Sequence, residues 1–412
     1  MPDSTAVPGL SAGDTGFMIV CACLVFIMLP GLSLFYGGLV QNRNVLSTIM
    51  HTYVILGVGG VFWAVAGYSL AFGDDCGGVV GNLRHFLLAG VGAAADGPGG
   101  GIPHVLYMVF QCLIACLAAA LISGAYAERI RFPAMAVFTL LWLALVYSPV
   151  AHWVWGGGWL SRLGVLDFAG GAVVHMNSGA AALAAAHALP RRKTLERGEI
   201  APHNLPLTLL GAGLLWLGWF GFNSGGALAA DARAAGALAA TQLSAAAGML
   251  GWLAAEYLHY GKPTTFGSAS GALAGLVSIT PAAGFVSPIW ALAIGALGGM
   301  ICYGGMFLKI RCQYDDALDV VAIHGLGGAW GALATGLWAS APAGGTDGLF
   351  RGRPGQMIPQ LLSIAAIWLY GYFASRVILL ATSALTPLAA DDNEQLLGLD
   401  LGEHNERAYQ IR

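Results

Sequence analysis

Long apolar stretches separated by short polar connections extend from about residue 17 to residue 382. A bilayer-spanning helix needs roughly 20 mostly apolar residues, so the pattern predicts eleven spans and an all-α polytopic membrane protein. The predicted spans are Phe17–Val40, Val45–Phe72, His104–Ala127, Pro133–Val150, Gly170–Leu189, Leu205–Phe222, Leu238–Tyr260, Thr265–Ile279, Val286–Leu308, Leu318–Trp338 and Met357–Thr382.

Lys and Arg are distributed unevenly between the predicted loops. Loops after odd-numbered spans carry Arg43, Arg129, Arg131, Arg191, Arg192, Lys193, Arg197, Lys262, Lys309 and Arg311. Loops after even-numbered spans carry only Arg84, Arg162, Arg233, Arg351 and Arg353. Because positive loops stay on the cytoplasmic side, we expect an inner (plasma) membrane protein with its N-terminus outside and its C-terminus inside. The predicted domains are an extracytoplasmic segment 1–16, a transmembrane domain 17–382 and a cytoplasmic tail 383–412.

The two halves of the transmembrane domain show a faint internal repeat. The sequence Phe-Tyr-Gly-Gly-Leu at 35–39 ends the first span, and Phe-Asn-Ser-Gly-Gly at 222–226 ends the sixth. An aspartate followed by a histidine recurs in the fifth and tenth spans. Five spans per half is an odd number, so the halves at about 17–190 and 205–341 would be inverted, followed by a last helix at about 357–382.

Two histidines, His175 and His324, lie inside these apolar spans. An ionisable side chain at membrane depth is costly unless it has a partner or lines a pathway. Three interpretations are open: a core histidine bonded to a backbone carbonyl, a metal ligand, or a pair of imidazoles facing a small polar solute. Zinc takes four ligands, and no Cys, Asp or third His stands at ligand spacing, so the pattern predicts no metal site.

The composition restricts the class of protein further. Of 412 residues, 57% are hydrophobic and 9% are charged, and the mean hydropathy is +0.71, which is far from a soluble domain. The net charge of −3 gives no reason to expect nucleic acid. The seven cysteines are odd in number and mostly fall in apolar spans, which predicts buried, reduced thiols. No nucleophile–base set stands out, so neither an enzyme nor a cofactor is expected.

Polar and aromatic residues near the predicted span ends are further candidates. Asp167 is either an N-cap for the fifth span or a charge that attracts cations to the outer mouth, and Asp319 is interpreted in the same way at the cytoplasmic end. The aromatic residues Trp155, Phe110 and Phe222 suit either an interfacial belt or a site that holds a cation over ring faces. Composition alone does not choose between these alternatives.

Eight motifs, taken in order, resemble those of the ammonium transporter family (Amt/Mep/Rh) along essentially the whole chain. They are PGLSLFYGGLVQNRNVLS (Pro30–Ser47), GAYAERIRF (Gly124–Phe132), HWVWGGGW (His152–Trp159), DFAGGAVVHMNSG (Asp167–Gly179), PHNLP (Pro202–Pro206), GWFGFNSG (Gly218–Gly225), DVVAIHG (Asp319–Gly325) and GLDLGEHNERAY (Gly398–Tyr409). Because it has Trp155, the chain resembles the bacterial Amt branch of the family in particular.

The resemblance implies a homotrimer with one pore per subunit, which carries ammonium or its analogue methylammonium across the lipid bilayer. It places ammonium recruitment at Trp155 and Phe110, the gate at Phe222, and the pore histidines at His175 and His324. Asp167 would give structural and electrostatic support. The resemblance also implies that ammonium loses a proton at the gate, that ammonia passes the histidines, and that the proton crosses separately, making transport electrogenic.

Three positions depart from the family pattern. Ile114 stands where a second gate phenylalanine is usual, and Gly226 stands where a serine usually completes the recruitment site. Loss of one charge-assisted bond would weaken recruitment by about 1.5–3 kcal/mol unless Ser224 or a water replaces it. Asn405 follows His404 where the family usually has glycine, which bears on docking of a PII-type regulator. An ammonium sensor with little transport and an Rh-like neutral ammonia channel are therefore kept as alternatives.

Overall fold

The structure is a computed structural model that describes residues 9–196, 198 and 201–410. Arg197, one of the predicted cytoplasmic cations, lies outside the described residues, as do residues 1–8 of the predicted N-terminal segment and residues 411–412 of the tail. The described chain is predominantly helical, and its only strands, Asp75–Cys76 and Val80–Gly81, form a small antiparallel hairpin.

Among the described residues, eight helices are long and apolar enough to cross a membrane. They are Ala12–Leu39, Val45–Phe72, His104–Tyr126, Phe132–Arg162, Leu205–Gly225, Ala232–Tyr260, Pro288–Cys312 and Pro354–Leu385. The other three predicted spans correspond to shorter helical segments: Gly171–Met176 continued by Asn177–Ala188, Thr265–Ile279, and Val321–Leu326 continued by Gly327–Trp338. The chain is therefore a multi-pass membrane protein.

Shorter elements lie inside or between the long helices. The run Val45–Phe72 contains a π-helical turn at Trp63–Gly67, and Phe132–Arg162 contains one at Leu143–Tyr147 before the short helix Trp159–Arg162. Further short helices are Phe86–Leu88, Lys193–Glu196, Ala341–Gly344, Leu349–Arg351, Pro354–Gln356, Asp392–Leu397 and Leu399–His404.

Glycines allow the long helices to approach one another closely. A Cβ at Gly211 would lie 2.2 Å from the backbone nitrogen of Phe35, on the neighbouring helix. Gly299 is similar, since a Cβ there would lie 2.2 Å from the carbonyl oxygen of Gly248. Packing between backbones replaces the hydrophobic effect as the attraction between helices in lipid, so any side chain at either position would separate the helix pair.

A buried charge cluster joins the loops on the tail side of the molecule. Arg192 donates to Glu128 at 2.8 Å and to both carboxylate oxygens of Asp315, while Arg129 also pairs with Asp315. Burial disfavours the charge of Asp315, but the two guanidinium groups outweigh that effect and hold its pKa below the ordinary value. The loops after the third, fifth and ninth predicted spans therefore meet on one side.

The C-terminal tail packs against that same side. Asp391 and Glu394 form a capping box that starts the helix Asp392–Leu397. The carboxylate of Asp400 accepts the backbone N–H of Ser47 at 2.8 Å, which fastens the tail to the first turn of the helix that begins at Val45. Asn405 ends the last helix with φ 53°, a left-handed conformation that glycine or asparagine adopts at low cost, so asparagine fills the role of the usual glycine here.

The cysteines are all free thiols, but their burial differs from the expectation. Cys21, Cys116 and Cys302 are buried as predicted. Cys23, Cys76 and Cys312 are exposed on the isolated chain, because Cys23 faces outward from its helix and the other two lie at the hairpin and at a helix end. The prediction of buried thiols was therefore wrong for these three.

Candidate functional site

The two predicted pore histidines meet in the interior. His175 and His324 lie 149 positions apart in sequence, yet their Nδ1 atoms are 3.2 Å apart and their rings stack with centroids 5.2 Å apart. His175 is fully buried, and His324 is 5% exposed. A neutral imidazole has one donor and one acceptor nitrogen, so in this pair one Nδ1 donates to the other. One ring then presents an Nε2 acceptor and the other an Nε2–H donor.

Both histidines lie in π-helical turns, a feature that the sequence did not predict. His175 belongs to the turn Gly171–Met176, and His324 belongs to Val321–Leu326. Such wide turns are rare and occur often at functional sites, because they shift side chains relative to a regular helix. The same local distortion therefore sets the direction of each imidazole.

Buried aspartates hold the starts of these two segments. The carboxylate of Asp167 accepts the backbone N–H groups of four residues at 2.7–3.0 Å: Gly170, Gly171, Ala172 and Val173. In the second segment the cap is Asp316, which accepts from Val321 at 2.7 Å, whereas Asp319 instead pairs with Lys309 at 2.6 Å. The interpretation of Asp319 as the cap was therefore wrong, and each true cap precedes its histidine by eight positions.

An aromatic cavity of about 290 Å³ opens on the side of the molecule that carries the hairpin. Its lining includes every residue predicted for the recruitment site and the gate: Phe110, Ile114, Trp155, Phe222 and Gly226. The indole N–H of Trp155 donates to the carbonyl oxygen of Asp167 at 2.9 Å. That bond fixes the tryptophan against the segment that leads to His175.

Phe222 separates this cavity from the buried histidines. Its side chain is fully buried and lines the cavity, and its ring centroid lies 6.0 Å from that of His175. Trp219, one turn earlier on the same helix, stacks on His175 with centroids 5.2 Å apart. The cavity, Phe222 and the histidine pair therefore follow one another as a continuous set of contacts.

Sequence reasoning missed several members of the cavity wall, among them Tyr107, Phe168 and Leu228. Tyr107 stands one helical turn before Phe110, so helical spacing from Phe110 offered a signal for it. Phe168 follows Asp167 directly. These two aromatic rings line the same cavity as Ile114, whereas Leu228 has a left-handed backbone conformation with φ 58° that no sequence pattern reveals.

The structure also shows what surrounds the unusual Gly226. A Cβ at this position would lie 2.8 Å from the carbonyl oxygen of Phe168 and 3.1 Å from that of Asn223. Ser224, the suggested replacement for the missing serine, lines a different, largely apolar cavity together with Phe17 and Cys21. Its hydroxyl is therefore placed away from the aromatic cavity.

The fold and these contacts define a class: a multi-pass membrane protein with an aromatic cavity on one face and a buried imidazole pair behind it. The chain matches the profile of the Ammonium Transporter Family over residues 16–409. It belongs to that family.

Relatives and solved structures agree with this assignment. The chain is similar to an ammonium transporter of Bacillus subtilis, with 49% identity over 97% of this chain and 99% of the relative. It also resembles the crystal structure of Candida albicans Mep2, with a TM-score of 0.88, 34% identity and coverage of 94% of this chain and 88% of that one. A structure described as a sensor Amt protein is similar too, with a TM-score of 0.88 and 28% identity over 95% of this chain and 98% of that one.

Proposed function

We propose that this protein transports ammonium electrogenically: it recruits the cation at the aromatic cavity, removes a proton at Phe222, and conducts ammonia past His175 and His324. The observation that supports this most is the unbroken contact from the cavity through Phe222 to the stacked imidazoles. Family membership supports ammonium and ammonia as the substrate.

Recruitment rests on the aromatic faces of the cavity. A desolvated cation over a ring face gains about 0.5–2 kcal/mol, and Trp155, Phe110 and Tyr107 each present a ring there. The cation still keeps contact with water in this cavity, whereas the step past Phe222 would remove that water. Full dehydration of an ion is prohibitive in an apolar interior.

Deprotonation explains how ammonium is distinguished from potassium. Potassium has no proton to lose, so it carries its full dehydration cost into the pore. Ammonium can leave its proton and enter as a small neutral molecule that both donates and accepts hydrogen bonds. The free Nε2 atoms of the imidazole pair, one an acceptor and one a donor, suit such a molecule. The free Nε2 acceptor of the pair takes the proton that ammonium loses at Phe222, and this proton crosses along the pair separately from ammonia, which makes the transport electrogenic.

The proposed architecture has eleven membrane spans in two inverted five-helix halves plus a last helix. The equal spacing of Asp167 and His175 and of Asp316 and His324 supports the repeat, as do the two π-helical turns. The domains are those predicted: 1–16, 17–382 and 383–412. Positive loops on the tail side support a protein of the inner membrane with its N-terminus outside and its C-terminus in the cytoplasm.

The proposed assembly is a homotrimer with one pore in each subunit. Large exposed apolar side chains, such as Leu258 at 86% and Ile289 at 65%, lie on helices that would face lipid or a second copy of the chain. A PII-type protein is the proposed cytoplasmic regulator. The tail packs on that face, and Asn405 has the backbone conformation of the usual glycine. Both features support a docking surface shaped like that of other family members.

A sensor that binds ammonium but scarcely transports it is the second candidate. The likeness to a sensor Amt structure favours it, together with Gly226 and Ile114 at the cavity. An Rh-like channel for neutral ammonia is the third, and it differs from the proposal in carrying no net charge.

Current measured on a solid-supported membrane, with purified protein in liposomes, separates these functions. An electrogenic transporter gives a current that saturates with ammonium concentration and is absent with potassium. A neutral channel gives methylammonium or ammonia flux without current. A sensor gives neither, but binds a cytoplasmic partner in an ammonium-dependent way, and that result would contradict the proposal.

A further inference from the structure

An arginine stacks on one of the rings that line the aromatic cavity. The guanidinium carbon of Arg233 lies 4.9 Å from the ring centroid of Phe168 and 4.9 Å from that of Phe285. Its Nε donates to the carbonyl oxygen of Gly284 at 3.2 Å, which fixes the direction of the side chain. Phe168 lines the aromatic cavity, so a permanent positive charge shares a ring with the recruitment site.

The charge of Arg233 is only partly balanced. Within the described part of the chain, no carboxylate lies within 4.0 Å of its guanidinium nitrogens. The nearby Asp231 directs its carboxylate to the backbone N–H groups of Arg233 and Ala234, where it caps the helix Ala232–Tyr260. Arg233 also lines a second cavity of about 330 Å³, distinct from the aromatic cavity, and that second cavity is lined by another cation, Arg351.

Two cations on one aromatic ring oppose each other. The guanidinium occupies part of the negative potential of the Phe168 ring, and an ammonium ion on the cavity side would lie roughly 8–10 Å from it, if each sits about 4–5 Å from the ring. At that distance, the Coulomb repulsion between the two charges depends on the effective dielectric constant. It corresponds to about a twofold loss of affinity for the dielectric constant of water and about a twentyfold loss for that of a protein surface.

We propose that Arg233 weakens ammonium recruitment and thereby sets the affinity of the aromatic cavity for ammonium. The inference rests on the proposed function of that cavity. It assigns a role in affinity to a residue that contacts only the wall of the site, and it predicts that loss of this side chain improves binding. A residue that merely supported the wall would have the opposite effect when replaced.

The test uses purified full-length protein with Arg233→Gln, Arg233→Lys and Arg351→Gln variants. Calorimetric titration with methylammonium gives the dissociation constant, and uptake into liposomes gives the apparent KM. We expect Arg233→Gln to bind about two- to twentyfold more tightly and to lower KM in parallel. Arg233→Lys keeps the charge and should stay near wild type, while Arg351→Gln should have a smaller effect than Arg233→Gln. The gain should shrink as ionic strength rises.

The two readouts separate this inference from the proposed function. Unchanged or weaker methylammonium binding by Arg233→Gln would overturn the inference, whether or not the wild-type protein transports. Tighter binding by Arg233→Gln together with an absence of uptake in every protein would support the inference and refute transport. An equal gain in Arg233→Lys would also overturn it, because charge would not then be the cause.

Discussion

The substitution Gly226→Ser distinguishes two explanations of the unusual cavity. If the cavity merely lacks a hydrogen-bond acceptor, a serine hydroxyl should add a charge-assisted bond of about 1.5–3 kcal/mol. That gain corresponds to roughly ten- to hundredfold tighter ammonium binding. If instead the surrounding backbone leaves no room for a side chain at position 226, the serine strains the wall of the cavity.

The geometry favours the second explanation. The new Cβ would lie 2.8 Å from the carbonyl oxygen of Phe168 and 3.1 Å from that of Asn223, and both are backbone atoms that cannot rotate away. Overpacking of this kind costs about 1–3 kcal/mol of stability, and relieving it moves Phe168, which lines the cavity, away from its position in the site and so opposes the new bond. We therefore expect Gly226→Ser to bind ammonium no more tightly than wild type.

Two companion variants complete the experiment. Gly226→Ala adds the Cβ without the hydroxyl, so it should bind more weakly than both wild type and the serine variant. Gly57→Ser is the control, because a Cβ there meets no atom within 4 Å. Calorimetric titration with methylammonium and thermal unfolding are measured on each protein. A serine variant that binds tenfold or more tightly than wild type, without loss of stability, would refute the steric argument.

Two further predictions concern the same pathway. Replacing Trp155 with leucine removes a ring face and the hydrogen bond to Asp167, so the apparent KM for methylammonium should rise about two- to thirtyfold. Trp155→Phe keeps a ring and should have an intermediate KM. A wild-type KM in the leucine variant would exclude recruitment at this ring. Burial, with Asp319 adding to it, raises the pKa of the Asp316 carboxyl to about 6, so the folded protein disfavours its ionised form. Wild type should therefore lose roughly 1–1.5 kcal/mol of stability relative to Asp316→Asn as pH rises from 5 to 7.5, and a difference in thermal unfolding that does not change with pH would contradict this.

The sequence predicted the main pattern of the site because its signals are local and strong. Apolar length located a helical segment at each predicted span, and two histidines in apolar surroundings were costly enough to imply a common role. The structure then brings His175 and His324 together. It also places Trp155 and Phe222 in one cavity, as the motifs implied.

Other features depend on the three-dimensional arrangement and left little trace in the sequence. The π-helical turns contain the two histidines, and no hydropathy pattern encodes a turn with one extra residue. The cap at Asp316 was assigned to Asp319 because three acidic residues stand close together, and only the backbone geometry separates their roles. The contact between Arg233 and Phe168 joins residues 65 positions apart, beyond the reach of any local pattern.

The central claim is that ammonium gives up a proton and passes the paired imidazoles as ammonia, while potassium, which has no proton to lose, is excluded. Its most direct test is current on a solid-supported membrane, with ammonium and potassium in turn, for wild type and the His175→Ala, His324→Ala double variant. His51→Ala, which removes another buried imidazole away from the cavity, is the matched control. We predict that the double variant loses selective ammonium current while the control keeps it. A double variant that retains full ammonium current and full selectivity over potassium would contradict the account.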